Sequence, residues 1–214
     1  MFTYNYPHPA VAVDIVVVAL NAGRPHVLLI RRGQDPFKNQ FALPGGFLKP
    51  SETVEAAASR ELLEETGLNV DAPQQFGIYS DPYRDPRERV ISIAYLACVV
   101  MGNMRALAGS DAAYADWHDW SALPDLAFDH ATILNDAKTF LRSEVNRSPI
   151  ALDLISSPFR LADFQTATEA ILGAPIDKRN FRRQIDERGW VVETDHVVRG
   201  RHRPAKLFVR ALSN

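Results

Sequence analysis

The sequence predicts an α+β protein built from two unlike domains. Three observations carry this reading. The first 148 residues alternate β-branched runs with helical stretches, the remainder strings three helical stretches ahead of two short strands, and the charge changes sign between the two parts. At 214 residues the chain is long for one compact unit and comfortable for two, since typical domains hold about 100–150 residues. Its 46% apolar content is enough to build ordinary cores. Residues 1–148 hold 13 Lys and Arg against 18 Asp and Glu, whereas 149–214 hold 11 against 8, and 178–210 alone hold 10 against 4. That asymmetry assigns the halves different partners, the basic one suited to a polyanion.

Taken in order, Ala10–Leu20 is rich in valine and isoleucine and reads as a strand. The turn cluster Asn21-Ala-Gly-Arg-Pro25 and a second strand over His26–Arg32 make a hairpin with a longer loop. Gly33–Phe47 carries Pro36, Pro44, Gly45 and Gly46 and reads as loop. Ser51 is placed to cap a helix from about Glu52 to Glu65, with Gly67 where a helix stop is expected. Leu68–Pro73 and Gly77–Pro86 are turn-rich and flank a strand beginning near Val90. Ala115–Trp120 is a short strand candidate, and His130–Asn146 a helix closing the domain. Cys98, a single thiol in an apolar run, is read as a small buried hydrophobe. The N-terminus lacks the pattern of a signal peptide, and no run approaches the roughly 20 apolar residues of a membrane span, so a cytoplasmic protein without membrane partners is expected.

The chemistry lies in residues 46–68: Gly46, five residues, Glu52, seven residues, then Arg60-Glu61-Leu-Leu-Glu64-Glu65-Thr-Gly67-Leu68. At about 100° per residue, Glu61 and Glu65 stand about 40° apart on a helix, with Glu64 about 60° to the other side of Glu61. Three carboxylates crowded on one stripe resist ionising together. A hard divalent cation removes that cost, because it takes oxygen ligands and bridges carboxylates to substrate phosphates. Arg60 is able to pin one carboxylate in a bidentate contact.

These spacings fulfil the Nudix box at every fixed position, and the chain resembles the Nudix hydrolases. The resemblance implies an α/β/α sandwich with a mixed sheet and a water activated by Mg²⁺ or Mn²⁺ that attacks a nucleoside diphosphate. Glu61, Glu64 and Glu65 would ligate the metal with the carbonyl of Gly46, and Arg60 would share the catalytic site. The general base varies in this family. Asp111, six residues before Trp117 where some relatives carry glutamate, is either that base or a plain loop acid. Arg31 and Arg32 end the second strand; related enzymes use an arginine at the position of Arg32 for phosphate, against a reading as strand-edge charge. Arg84 and Arg87, in Asp81-Pro-Tyr-Arg-Asp-Pro-Arg-Glu-Arg89, read a ribose or terminal phosphate or belong to a solvated loop.

A boundary is expected at Arg147-Ser-Pro149, dividing the chain into 1–148 and 149–214. Helical stretches at Ile150–Ile155, Leu161–Leu172 and Asp177–Arg188, then strands at Trp190–Thr194 and Ala205–Leu212, follow the order of a winged helix-turn-helix. The third helix presents Lys178, Arg179, Asn180, Arg182 and Arg183 near its start, residue types that read base edges and grip phosphates. Phe181 and Ile185, four apart, face a core. Arg201 and Arg203 lie in the turn between the strands, where a basic wing meets backbone or minor groove.

Together, Ala42-Leu-Pro-Gly-Gly-Phe47, Leu126-Ala-Phe-Asp-His130 and the basic third helix resemble the Nudix-related transcriptional regulators called NrtR. The resemblance implies a homodimer that binds double-stranded DNA, represses genes of NAD metabolism and takes ADP-ribose or a similar nucleotide as effector. Some members keep only a degraded box, whereas this chain keeps every box residue, so pyrophosphatase activity stays open beside regulation. Two alternatives compete: a hydrolase of ADP-ribose or a dinucleotide whose second domain serves dimerisation, and a protein-binding adaptor with a vestigial site. DNA affinity separates the first reading from both; metal-dependent phosphate release separates the other two.

Overall fold

A computed structural model describes residues 5–70, 73–102, 112–198 and 205–212. The described chain divides into two compact units, the second beginning at Phe140 and also taking Ala19–Pro25 and Cys98–Gly102. Among the described residues no helix is long and apolar enough to cross a membrane.

The first unit is organised by β1 (Ala10–Asn21), whose Val13, Ile15, Val16, Val17, Val18 and Ala19 are fully buried. A strand covered on both faces reads as an unbroken apolar run, and this is why the segment shows no alternation. β2 (Arg24–Arg32) follows after Ala22 and Gly23, whose φ values of 48° and 76° are both positive. That is the backbone of a two-residue primed turn, so the expected longer loop is corrected to a tight hairpin.

The sheet order is β3–β2–β1–β6–β5, with β3 at Phe41–Ala42, β5 at Gln74–Tyr79 and β6 at Val90–Cys98. β4 (Gly45–Phe47) pairs antiparallel with β1, and β7 (Ala112–Asp119) antiparallel with β2. β1 and β6 run in the same direction: Ala10 N–H donates to Arg89 O where they start, and Ser92 donates to Asp14 further along both. The sheet is therefore mixed. Three expectations are corrected here. The segment 33–47 is not all loop, because β3 and β4 pair through backbone that no side-chain pattern announces. The stretch around Gly77 carries β5, held by its pairing with β6. The first helix, α1 (Val54–Thr66), is capped by Thr53 rather than Ser51. A second helix, α2 (His130–Glu144), follows β7.

In the second unit a short 3-10 turn (Ile150–Leu154) replaces the first expected helix. It is followed by α3 (Leu161–Leu172), α4 (Lys178–Arg188), and the antiparallel pair β8 (Val191–Val198) and β9 (Ala205–Arg210). Phe164 is the centre of its core, meeting Phe159 edge-on at 6.1 Å and Phe181 at 5.3 Å. Phe159 also exchanges two backbone hydrogen bonds with Phe208, tying the segment before α3 to the hairpin. Gly173 and Gly189 end α3 and α4 in left-handed geometry, which glycine adopts without Cβ strain. The order of a winged helix is borne out.

Candidate functional site

The acidic site is assembled on α1. Thr53 accepts the N–H of Ala56 and fixes where the helix begins, while Gly67, at φ 71°, ends it by donating to Leu63 O. Leu62 is fully buried, and Glu61, Glu64 and Glu65 line one cleft. Arg60 is the hub. It binds both oxygens of Glu52 (2.9 and 2.6 Å), Glu61 (2.7 Å), Glu64 (3.1 Å) and the carbonyl of Phe47 (3.2 Å). This fork holds the Glu52 carboxyl down at about 2, with the Lys49 N–H adding a third hydrogen bond.

Glu65 behaves in the opposite way. Burial pushes its carboxyl up to about 8, aided by the Glu61 charge and opposed by the Gly45 N–H, which donates to it at 2.8 Å. The two glycines are there for close approach. A Cβ on Gly45 would strike the Val13 carbonyl, and one on Gly46 would strike the Glu61 carboxylate. The backbone of β4 thus lies directly against the glutamate stripe. Among the described residues, no three His, Cys, Asp or Glu side chains already converge as a cation cage, because Arg60 draws Glu61 and Glu64 toward itself. The donor set nonetheless fits a hard cation. All the side-chain donors are oxygens, and Glu65 is a carboxyl that burial and a like charge keep from ionising, the situation that a divalent cation reverses.

The cleft beside these glutamates is lined by Arg32 and Arg87, together with Gly46 and Phe47. A neighbouring pocket shares Arg32 and Arg87 and adds Arg84. Arg31 is exposed, is bound to Asn39 O and lines neither of these two pockets. Asp111 lies outside the described residues. Burial and the neighbouring Arg87 depress the Arg32 guanidinium, which donates to Pro36 O and stands 4.8 Å over the Phe128 ring. Arg87 is gripped by Asp85 through two bonds and faces the rings of Phe47 and Phe128 at 5.3 and 5.8 Å.

Sequence reasoning missed the network beneath these arginines. Asp14 projects from β1 among apolar neighbours. Burial raises its carboxyl, but His130, Arg84 and Ser92 outweigh that and hold it well below the usual range. Leu43 N–H donates to His130 Nδ1 at 2.8 Å, so the other ring nitrogen faces Asp14 at 3.3 Å. Arg84 joins Asp14 (3.0 Å) and Asp129 (2.9 and 2.7 Å). One signal was available: an aspartate interrupting a valine-rich strand needs a buried partner.

In the second unit, Asp177 caps α4 by accepting Asn180 N–H at 2.8 Å, and Phe181 and Ile185 are buried as expected. Lys178, Arg179, Asn180, Arg182 and Arg183 are all exposed. Arg183 reaches Asn180 Oδ1 and Glu187, both at long distances of 3.4 and 3.8 Å. Arg201 and Arg203 fall outside the described residues.

A mixed-sheet domain with a glutamate-bearing helix against a glycine strand, followed by a winged helix, defines the class of protein. The NUDIX domain family matches residues 8–137, and the NrtR DNA-binding winged helix domain matches residues 151–209. The chain belongs to the Nudix family, in the branch that joins its Nudix domain to an NrtR DNA-binding winged helix. It is 33% identical to the ADPR responsive transcriptional repressor NtrR of Acinetobacter baylyi, over 98% of this chain and 85% of that relative. It is 49% identical to the ADP-ribose pyrophosphatase of Methanocaldococcus jannaschii, over 61% of this chain and 74% of the relative. The structure of Shewanella oneidensis NrtR complexed with a 27mer DNA matches with a TM-score of 0.83 at 26% identity, covering 94% of this chain and 93% of that one.

Proposed function

We propose that this protein is a transcriptional repressor whose affinity for double-stranded DNA answers to ADP-ribose or a closely related NAD metabolite. The observation that carries the reading is that one chain holds both an arginine-lined acidic cleft and an exposed cationic helix in a winged helix, and is similar along 98% of its length to an ADPR responsive repressor. The working division is 1–148 for the nucleotide and 149–214 for DNA, and a homodimer would present two copies of α4 to successive half-sites.

Within this reading, Arg32 and Arg87 take the pyrophosphate, because both are partly desolvated and converge on one cleft. Arg84 lines the adjoining pocket with Arg32 and Arg87 and adds a third guanidinium for the pyrophosphate. Mg²⁺ or Mn²⁺ held by Glu61, Glu64, Glu65 and the Gly46 carbonyl would screen the phosphate charge and supply a water of lowered pKa. Arg60 keeps Glu61 and Glu64 oriented, and the Gly45 N–H keeps Glu65 oriented. In the second unit, Lys178, Arg179, Arg182 and Arg183 hold the duplex through phosphates and guanine edges, and Asn180 suits an adenine.

The complete box and the 49% likeness to an ADP-ribose pyrophosphatase favour a second, compatible reading, in which the cleft also cleaves its effector to AMP and ribose 5-phosphate. The deciding experiment titrates the full chain against duplex DNA from upstream of its own gene, with and without ADP-ribose and Mg²⁺. Binding that ADP-ribose weakens supports the repressor. Absence of DNA affinity with retained turnover leaves the hydrolase.

A further inference from the structure

Three carboxylates already occupy cations that face the arginine pocket: Asp85 binds Arg87, and Asp14 and Asp129 both bind Arg84. An anionic ligand arriving there must compete with these carboxylates, since each already satisfies the guanidinium it would bind. The three are not equally able to yield. Asp14 is fixed in the central strand by His130 and Ser92, and its side chain is 10% exposed. Asp85 is 5% exposed and sits two residues from Arg87, so the pair moves together. Asp129 is 22% exposed and reaches Arg84 from a different element.

Asp129 also has somewhere else to go. It is the residue immediately before α2, and its carbonyl accepts the N–H groups of Thr132 and Ile133, as the residue flanking a helix start does. An aspartate in that position ordinarily turns its carboxylate onto the free amides of the first turn, where the helix dipole also favours it. Here both carboxylate oxygens are spent on Arg84 instead, and the first turn of α2 contains no acidic residue to replace them. Its neighbours are tied to the same pocket. Phe128, held at φ 54° where a bulky residue is strained, lies under Arg32, and His130 holds Leu43 and Asp14. From this end α2 continues to Glu144 and crosses into the second unit at Phe140.

We propose that Asp129 is a two-position switch: it occupies Arg84 in the ligand-free protein and, when a phosphate group of the nucleotide takes Arg84, turns to cap α2. This inference rests on the repressor reading and names the first step of its regulation. Two discrete partners for one carboxylate make the bistable element that coupling between sites requires. The cap, formed only with ligand bound, alters the start of a helix whose residues are divided between the two units.

The test uses the full chain, ADP-ribose as the probe, and duplex DNA from upstream of its own gene. Asp129→Asn removes the charge that competes at Arg84 yet keeps a good capping residue. It is expected to bind ADP-ribose more tightly than wild type and to bind DNA more weakly before any ligand is added, each by a factor within the roughly 5–150-fold usual for coupled sites. Asp129→Ala loses the competitor and the cap together, so it should bind ADP-ribose more tightly while its DNA affinity responds less to the ligand. A merely structural aspartate would lower ligand affinity in both variants, and that result overturns the proposal. Hydrogen exchange of wild type removes any dependence on variant folding: first-turn amides of α2 should exchange more slowly with ADP-ribose bound, and unchanged exchange also overturns it. If wild-type DNA affinity ignores ADP-ribose altogether, the repressor reading itself fails; if wild type responds and both variants respond equally, only the switch fails.

Discussion

The helices α1 and α4 are both densely charged, yet they hold their charge in opposite ways. On α1 the charges are spent on one another and on the protein: Arg60 satisfies Glu52, Glu61 and Glu64, and Glu65 is pressed against the Gly45 amide under enough burial to raise its carboxyl to about 8. On α4 the five polar residues near its start stand in solvent, and buried Phe181 and Ile185 supply the anchorage. The first arrangement is built from the protein's own groups and carries internal tension of the kind a divalent cation would relieve. The second is a surface whose energy comes almost wholly from what it meets. A small multivalent ligand demands the one, because misplacement by an ångström loses it; a long polyanion tolerates the other, because its charge is spread along a backbone.

Salt should produce the largest effect and bears on the α4 side of this contrast. A protein making about 6–10 phosphate contacts loses about 10³–10⁵ in affinity between about 50 and 200 mM salt. DNA binding titrated across that range should fall steeply, whereas ADP-ribose binding in the inner cleft should fall far less; equal slopes would erase the distinction. Next in size is Glu64→Gln. Disturbing residues behind a metal's ligands costs about 10–100-fold in metal affinity or activity, so losing a ligand itself should cost more than about 100-fold in ADP-ribose turnover. Melting temperature and ligand-free DNA affinity should be unchanged, and a drop in either would mean that α1 is a structural ion-pair helix.

Glu65 supplies a pH test. Its folded carboxyl stands at about 8 against an ordinary 4.5, so the native state holds the proton more tightly than the unfolded chain. Stability from this group is therefore full below about 4.5 and is lost as pH rises through about 8. Chelator-treated protein should lose on the order of 2 kcal/mol across that window in denaturant titrations, allowing for the group's partial exposure. Mg²⁺ or Glu65→Gln should flatten the slope; an equally steep slope in Glu65→Gln would place the tension elsewhere. The smallest effect concerns where α1 begins. Thr53→Ala should cost about 1 kcal/mol of stability, while Ser51→Ala should cost nothing measurable, and the reverse order would restore Ser51 as the cap.

Much of the chemistry was legible in the sequence because it is local. Helical spacing alone brings Glu61, Glu64 and Glu65 to one stripe, and the same period separates buried Phe181 and Ile185 from the exposed cations of α4. β5 was hidden because Gln74-Gln-Phe-Gly-Ile-Tyr79 carries little strand pattern of its own and is held by pairing with β6. β3 was hidden because it is two residues long, and β4 because its glycines carry no side-chain alternation to announce it. Which of two adjacent arginines lines the clefts was likewise not legible: Arg32 does, and Arg31 bonds to Asn39 O.

By itself, then, the sequence determined those features set by neighbours within a turn or two: the glutamate stripe, the stops at Gly67, Gly173 and Gly189, the cationic face of α4, and the change of charge between the domains. Tertiary structure alone decided how Arg84, in a loop, comes to bind Asp14 on β1 and Asp129 before α2, residues 70 and 45 positions away. It also decided that His130 bridges Leu43 and Asp14, and that Gly46 lies against Glu61. The physical reason is that backbone dihedrals repeat and so fix local neighbours wherever they occur, whereas a buried charge has to find its partner among whatever elements the core packs around it.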